Sequence, residues 1–326
     1  METIPVLHAD CRVLPFSSDQ QRRHELKERT MPSQQQIRED ITTRIVEALE
    51  SNLLPWRRPW SISANVGRPA NAISKANYSG VNPLLLELHR MKHGLQSRHW
   101  ATFRQWSDRG CTVRKRPADT KPGQWGCTIV FCKPITKTVE KNGEEVEDKF
   151  FMLRNFTVFN ADQVEGEFAE RLQVHDDQPT GVVPDFAPAD ELIEATGADV
   201  RHGGDRAFYR PADDYIQMPH KHRFNPPGAY YESILHELSH WSEPRLGFEQ
   251  KDRDYAYFEL VAEMASCFLA TELGVPQGEG LENHAAYLKS WLRSMKDDAS
   301  FIFKASTAAS KTADFLFSFR NAAIIV

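Results

Sequence analysis

Apolar residues first settle into a helical period just after Ser33. Ile37, Ile41, Ile45, Val46 and Leu49 fall on one stripe. Ser33 is a good N-cap residue, and Pro55 and Pro59 end the segment. Pro83 opens a second helix around Leu84 to Met91, which Gly94 closes. From Cys111 the period shortens. Cys111 to Arg114, Cys127 to Phe131 and Phe150 to Phe159 are short, apolar and rich in β-branched or aromatic residues, so they predict strands of an antiparallel sheet. Lys141-Asn142-Gly143-Glu144 is the tip of a hairpin between two of them. The stretch from Gln178 to Pro188 holds three prolines and a glycine and reads as a linker. Beyond it the pattern predicts a helix at Ala189 to Thr196 and strand pieces at Ala207 to Tyr209 and Tyr215 to Met218. Helices follow at Tyr230 to Trp241 and Ala256 to Leu273, the latter stopped by Gly274 and Pro276, and further helical segments run from Glu282 to Lys296 and from Ser300 to Phe319. The expectation is an α+β chain: a flexible lead over 1–33, a mixed helix and antiparallel-sheet domain over 34–178, a linker at 179–188, and a second domain over 189–326.

Composition narrows the class. At 326 residues with 40 % hydrophobic content, the chain is long enough for two ordinary cores. It has no run of eighteen apolar residues and no basic-then-apolar leader, which predicts a cytoplasmic protein that does not engage a membrane. Its five cysteines form no C-x-x-C pair, so a cysteine zinc knuckle is excluded and a reducing compartment is expected.

The net charge of −5 hides a division. Between Ser51 and Lys137 fifteen Lys and Arg face three Asp and Glu, a balance of +12 that leaves −17 for the rest. A cationic half beside an acidic one suggests that the former meets a polyanion. Within it, cations alternate with flat rings: Trp56, Arg57, Arg58 and Trp60, then Lys75 and Tyr78, then Arg104 and Trp106, then Arg114 and Lys115. That mixture suits single-stranded DNA, whose phosphates and unstacked bases are both accessible, and it tolerates any sequence. The competing reading packs the tryptophans into the core and leaves the cations solvated. No helix-turn-helix, zinc-finger or RRM signature supports base-specific readout.

The acidic half carries the chemistry. His236-Glu237-Leu238-Ser239-His240 lies inside a predicted helix, so its two imidazoles share a face and suit a single Zn2+. Glu237 between them is placed to take a proton from a water at the ion. After eighteen intervening residues Glu259 sits on a second predicted helix, as the third ligand of a gluzincin-like His2Glu set does. Glu263, one turn on, is either an alternative ligand or the carboxylate that steadies a ligating imidazole from behind. Mn2+ or Co2+ suits the same donors. The oxyanion of a hydrolytic reaction needs a further donor, and Tyr209, Tyr215, Tyr255, Tyr257 and Tyr287 are all available.

From about Ile41 to Phe317 the chain resembles the ArdC-type antirestriction proteins of conjugative plasmids, a family similar to the N-terminal part of the TraC primases. The resemblance rests on Leu54-Pro55-Trp56 with Pro59-Trp60, Pro69-Ala70-Asn71-Ala72-Ile73, Tyr78-Ser79-Gly80-Val81-Asn82 and Trp100-Ala101-Thr102-Phe103-Arg104-Gln105. In the second half it rests on Asp214-Tyr215-Ile216-Gln217-Met218-Pro219, on the His236 to Trp241 run, on Glu259-Leu260-Val261-Ala262-Glu263 and on Ala286 to Leu292. It implies an N-terminal single-stranded-DNA-binding domain, a C-terminal zincin-like metallopeptidase domain, and a bacterial protein that protects incoming mobile-element DNA from host restriction. Arg116 to Gln124 departs from the family's short glycine turn, and the N-terminal lead has no counterpart in it. Two alternatives stay open: a regulatory metalloprotease that cleaves one protein partner, such as a restriction enzyme, or a non-catalytic coat for single strands with a structural metal.

Overall fold

The computed structural model describes residues 33–57, 67–141, 144–173, 186–248, 254–278 and 285–323. The expected lead, the hairpin tip and most of the expected linker lie outside them, as do Arg58 and Trp60. Helix α1 (Gln34–Glu50) begins where the N-cap reading put it, with the Ser33 hydroxyl accepting from Gln36 N at 3.1 Å. Helix α2 (Asn82–His93) ends on Gly94 at φ 63°, a left-handed conformation that glycine adopts without strain.

The first-half sheet has four strands in the order β1 (Ala70–Asn71), β2 (His99–Thr102), β5 (Glu144–Asn160), β4 (Cys127–Lys141). Its centre is one long antiparallel hairpin, in register from Cys127 opposite Val158 to Lys141 opposite Glu144. Two apolar runs were expected as separate strands. They are the base of this single ribbon, whose backbone ladder continues through a more polar stretch. The expected strand at Cys111 to Arg114 shrinks to β3 (Thr112–Val113), which pairs with β6 (Val164–Glu165) outside the main sheet. Short helices α3 (Phe103–Ser107) and α4 (Glu167–Glu170) flank this corner.

The second half opens with α5 (Ala187–Thr196). A three-stranded sheet follows, ordered β7 (Asp199–His202), β9 (Tyr215–Met218), β8 (Phe208–Arg210), with β8 antiparallel to β9 at the edge. Against it lie α6 (Gly228–Ser242) and α7 (Tyr255–Leu273), then α8 (Ala285–Asp297) and α9 (Phe301–Ala323). Helix α7 is the axis of the molecule: from Ala256 to Leu273 every residue except Glu272 is buried. Such a helix is apolar all round, so any carboxylate on it needs a partner.

One apolar core runs through both halves, from Ile41 and Leu84 to Leu260 and Leu316. Trp56 packs edge-on against Trp291, with ring centroids 6.3 Å apart. Polar ties cross the same seam. The Thr42 hydroxyl donates to Ala299 O at 2.8 Å, Arg68 is paired with both Glu272 and Asp314, and Arg57 Nε meets Glu263 Oε1 at 2.9 Å. Cys111, Cys127 and Cys267 are buried free thiols. No helix among the described residues is long and apolar enough to cross a membrane.

The Arg57–Glu263 pair is nearly dry, with side chains 12 % and 3 % exposed. Arg57→Ala should therefore cost about 3 kcal/mol in urea unfolding, most of it from the carboxylate left uncompensated. Adding Glu263→Gln should restore a large part of that loss. A change below about 0.5 kcal/mol for Arg57→Ala would mean that the pair contributes nothing.

Candidate metal centre

Helix α6 is pinned by Ile234, Leu235 and Leu238, all fully buried, which turns its other side toward α7. His236 and His240 leave that side together, and their Nε2 atoms face each other at 3.2 Å. Glu259 arrives from α7. Its Oε1 lies 3.5 Å from His240 Nε2 and its Oε2 lies 3.6 Å from His236 Nε2. The three ligand atoms are all within 4.8 Å of one another, and no other such group of three occurs among the described residues. Donors about 2.0–2.1 Å from a tetrahedral ion stand roughly 3.4 Å apart. The observed separations bracket that value, so the residues fit a small divalent cation with one position left over.

A carboxylate that the sequence reading did not single out stands behind His240. Glu263 receives Arg57 Nε and the Cys267 thiol, the latter at 3.7 Å. The partner of His240 Nδ1 is Glu243, at 2.8 Å. Glu243 follows His240 by three residues, at the end of the same helix, and it is buried. The i,i+3 spacing was a signal for it; the expectation looked instead to the opposite helix, whose inward carboxylate is used to hold an arginine.

Glu237 lies between the two imidazoles in sequence and is held from strand β8. Its Oε2 accepts the Tyr209 backbone N–H from edge strand β8 at 2.8 Å. Strand β8 is itself held to the end of α6, because Asp214 accepts both the Tyr209 hydroxyl at 2.9 Å and Arg245 Nη2 at 2.7 Å. The general-base candidate is thus tied to a sheet edge.

The five tyrosines separate. The Tyr209 hydroxyl is taken by Asp214, Tyr215 lies under the Arg201 guanidinium, and Tyr257 is buried against Phe258 and Phe301. Tyr287 stacks on Trp291. Tyr255 is 63 % exposed, and its hydroxyl lies beside Glu259. Burial and the Glu259 charge push that hydroxyl well above its ordinary range, so it stays a neutral donor.

Charge in the cluster is tightly coupled. Burial alone would lower His240, but hydrogen bonds and charge from Glu243 and Glu259 outweigh it and push the imidazole up to about 10. Burial would raise Glu259, yet its bonds from His236, His240 and Tyr255 hold it well below the usual carboxylate range.

Several residues expected on DNA are structural. Trp56 and Trp106 are buried, and Trp106 Nε1 donates to Phe159 O at 3.0 Å. The Tyr78 hydroxyl is half-buried against Asn71 and Trp100 O. Arg57 is the inter-half tie described above. Lys75, Arg104, Arg114 and Lys115 are exposed, and Lys75 Nζ sits 5.6 Å from the Phe168 ring centroid. Alternating cations and rings specify no face, and the largest rings went where apolar area counts most.

The pH dependence of the chelated protein follows from these shifts. His240 is raised, so its contribution is full below about 6.5 and fades as pH climbs toward 10. Glu259 is depressed, so its contribution is lost as pH falls below about 4.5. After chelation, scanning fluorimetry should find the pair's stabilisation largest between those limits and declining toward pH 10. His240→Gln should flatten the alkaline decline; an unchanged decline would assign it to other groups.

Known proteins match this architecture in order. Residues 35–159 fit the N-terminal domain of the anti-restriction factor ArdC, and residues 187–308 fit a zincin-like metallopeptidase domain. Crystal structures of the antirestriction protein ArdC from plasmid R388 superpose with a TM-score of 0.68 in the metal-free form, at 33 % identity, and 0.65 in the Mn(II)-bound form, at 34 %. Both alignments cover 86 % of this chain and 97 % of that one. Two DNA primases named TraC from Escherichia coli are 32 % and 30 % identical over 87 % and 90 % of the chain, which spans only 27 % and 21 % of their length. The uncharacterised protein y4eC of Sinorhizobium fredii is 30 % identical over 89 % of this chain and 94 % of its own. A mixed helix and sheet half followed by a zincin-like half, matched end to end by a solved relative, places this chain in the ArdC family of antirestriction proteins.

Proposed function

We propose that this protein binds single-stranded DNA with little regard to sequence, and that its second half holds a divalent metal on His236, His240 and Glu259 at a peptidase-type site. The observation that carries the metal reading is the convergence of the three side chains, with the two Nε2 atoms 3.2 Å apart and each within 3.6 Å of one Glu259 oxygen, and one donor atom from each residue within 4.8 Å of the others. The Mn(II)-bound form of the R388 relative supports a divalent ion, and Zn2+ suits the same donors. A cation there supplies Lewis acidity, which polarises a carbonyl and acidifies water.

The chain's own residues do the rest. Glu237 takes the proton of the attacking water and returns it to the leaving amine. Its bond to Tyr209 N fixes that carboxylate beside strand β8. Because β8 is an edge strand, its outer side offers backbone groups to an extended peptide, which would lie along it next to Glu237. Tyr255, exposed and neutral, donates to the developing oxyanion. Glu243 accepts from His240 Nδ1 and so turns Nε2 toward the cation. The substrate whose amide bond is hydrolysed is a protein or peptide, such as a component of the restriction machinery. In the first half, exposed Lys75, Arg104, Arg114 and Lys115 supply cations for phosphates.

Elemental analysis should find one divalent ion per chain and none in His240→Ala. Glu243→Gln should weaken metal affinity about 10–100-fold. Glu237→Gln should keep the metal and lose peptide hydrolysis against a library of unstructured peptides. Full metal in His240→Ala would end the metal reading, and unchanged hydrolysis in Glu237→Gln would remove Glu237 as base. Fluorescence anisotropy should favour single over double strands with a clear salt slope; equal, salt-independent binding would remove the DNA reading.

A further inference from the structure

We infer that the cleft between the two halves is the track of the single strand, so that the peptidase-type half supplies part of the DNA site. This rests on the single-strand reading proposed above. The cleft has a volume of about 1110 Å³ and is walled by Arg38 of α1 and Phe131 of β4 on one side, and by Phe248 with Phe303, Lys304 and Lys311 of α9 on the other. It therefore combines flat rings with cations, the two features that bases and phosphates need together. Asp314 is the acidic residue on its wall, and its Oδ1 is already taken by Arg68 Nη2 at 2.6 Å. Lys304 Nζ is paired with Asp298 at 3.0 Å, so Arg38 and Lys311 carry the cleft's positive charge toward a polyanion, and Lys304 can exchange its exposed pair for a phosphate.

The rings are offered rather than packed. Phe131 is 56 % exposed and Phe156, edge-on to it at 6.4 Å, is 43 % exposed. Arg154 is the cross-strand partner of Phe131 and is exposed beside it, so one face of the ribbon presents ring, cation and ring. Phe131 lines the cleft and Phe156 extends the exposed apolar surface beside it, which suits stacking on unpaired bases that a duplex keeps inside.

The wall is also built to hold still. Asn82 Nδ2 donates to Val130 O at 2.8 Å while Val130 N donates to Asn82 Oδ1 at 2.9 Å. One side chain thus clamps the edge strand next to Phe131. Two residues earlier, Gly80 N donates to Ser310 Oγ at 3.1 Å, and Gly80 itself adopts φ 63°. The Tyr78-Ser79-Gly80-Val81-Asn82 segment therefore links the hairpin to α9 and sets the width of the cleft. Asn82 is a positioning residue for this site.

Anisotropy of the full-length protein with labelled oligothymidylate tests the assignment. Phe131→Ala should weaken binding about tenfold, and Phe131→Trp should retain it. Lys304→Ala with Lys311→Ala should lower the salt slope by about 1.4, as expected for two lost phosphate contacts. Arg206→Ala, exposed elsewhere in the second half, is the control and should bind as the wild type does. Thermal melts should stay within a few degrees, because Phe131 and Lys311 are exposed. Photocrosslinking with iodouridine oligonucleotides should label the peptides carrying Phe131 and Phe303. If the wild type binds the oligonucleotide while the Phe131 and lysine variants match it, the cleft is not the track and the single-strand reading stands. If the wild type does not bind, that reading itself fails. Binding of an unstructured peptide in the cleft, lost in the same variants, would reassign it to a protein partner and overturn the inference.

Discussion

A helix buried on every side cannot carry an unpartnered buried carboxylate, and α7 carries two of them, Glu259 and Glu263. That constraint organises the molecule. Glu259 is answered by two imidazoles from α6, which creates a three-donor cluster. Glu263, one turn along, is answered by an arginine from the first half, which joins the halves at the same helix. Remove either answer and a charge is left in a medium that disfavours it by several kcal/mol. The chemistry and the assembly of the protein therefore depend on the same run of apolar residues, from Ala256 to Leu273, that excludes water around them.

Much of this was legible beforehand, for identifiable reasons. The α6 and α7 boundaries follow from period and from the glycine and proline after Leu273, and the His236, His240 and Glu259 faces follow from helical geometry. What could not be read was which carboxylate meets which cation across the seam. Glu263 meets Arg57 from the first half, and Glu243 stands behind His240 from within α6. Pairing across 206 residues of chain leaves no trace in local spacing.

The strands divide along similar lines. Cys127 to Phe131 and the end of β5 are apolar on the face that meets α2, so their pattern was visible. Strands β1, β2 and β7 were missed because they are two to four residues long and exist by pairing with neighbours rather than by any alternation of their own. The aromatic-and-cation reading of the first half failed at Trp56 and Trp106 for a physical reason. A tryptophan buries more apolar area than any cation beside it loses by staying wet, so in a small lobe it is drawn into the core. Among the described first-half residues the large rings that remain exposed are phenylalanines: Phe103, beside Arg104 in the interleaved stretch, and the Phe131–Phe156 pair, which lies outside it.

A continuous core also bears on how two sites in one chain can work. Separating the halves would expose Trp56, Trp291 and Leu84 together and break the buried Arg57 and Arg68 pairs, so wide opening of the seam carries a large free-energy cost. A strand entering between them meets walls already set by Asn82 and Gly80, and little ordering entropy is lost on binding. Strand β8, and Glu237 of α6 which accepts from Tyr209 N, do not line the cleft. Under the proposals above, nucleic acid and peptide would meet different surfaces of the chain. Occupancy of the first would deliver the second to DNA-bound partners by raising their local concentration, with no conformational signal required.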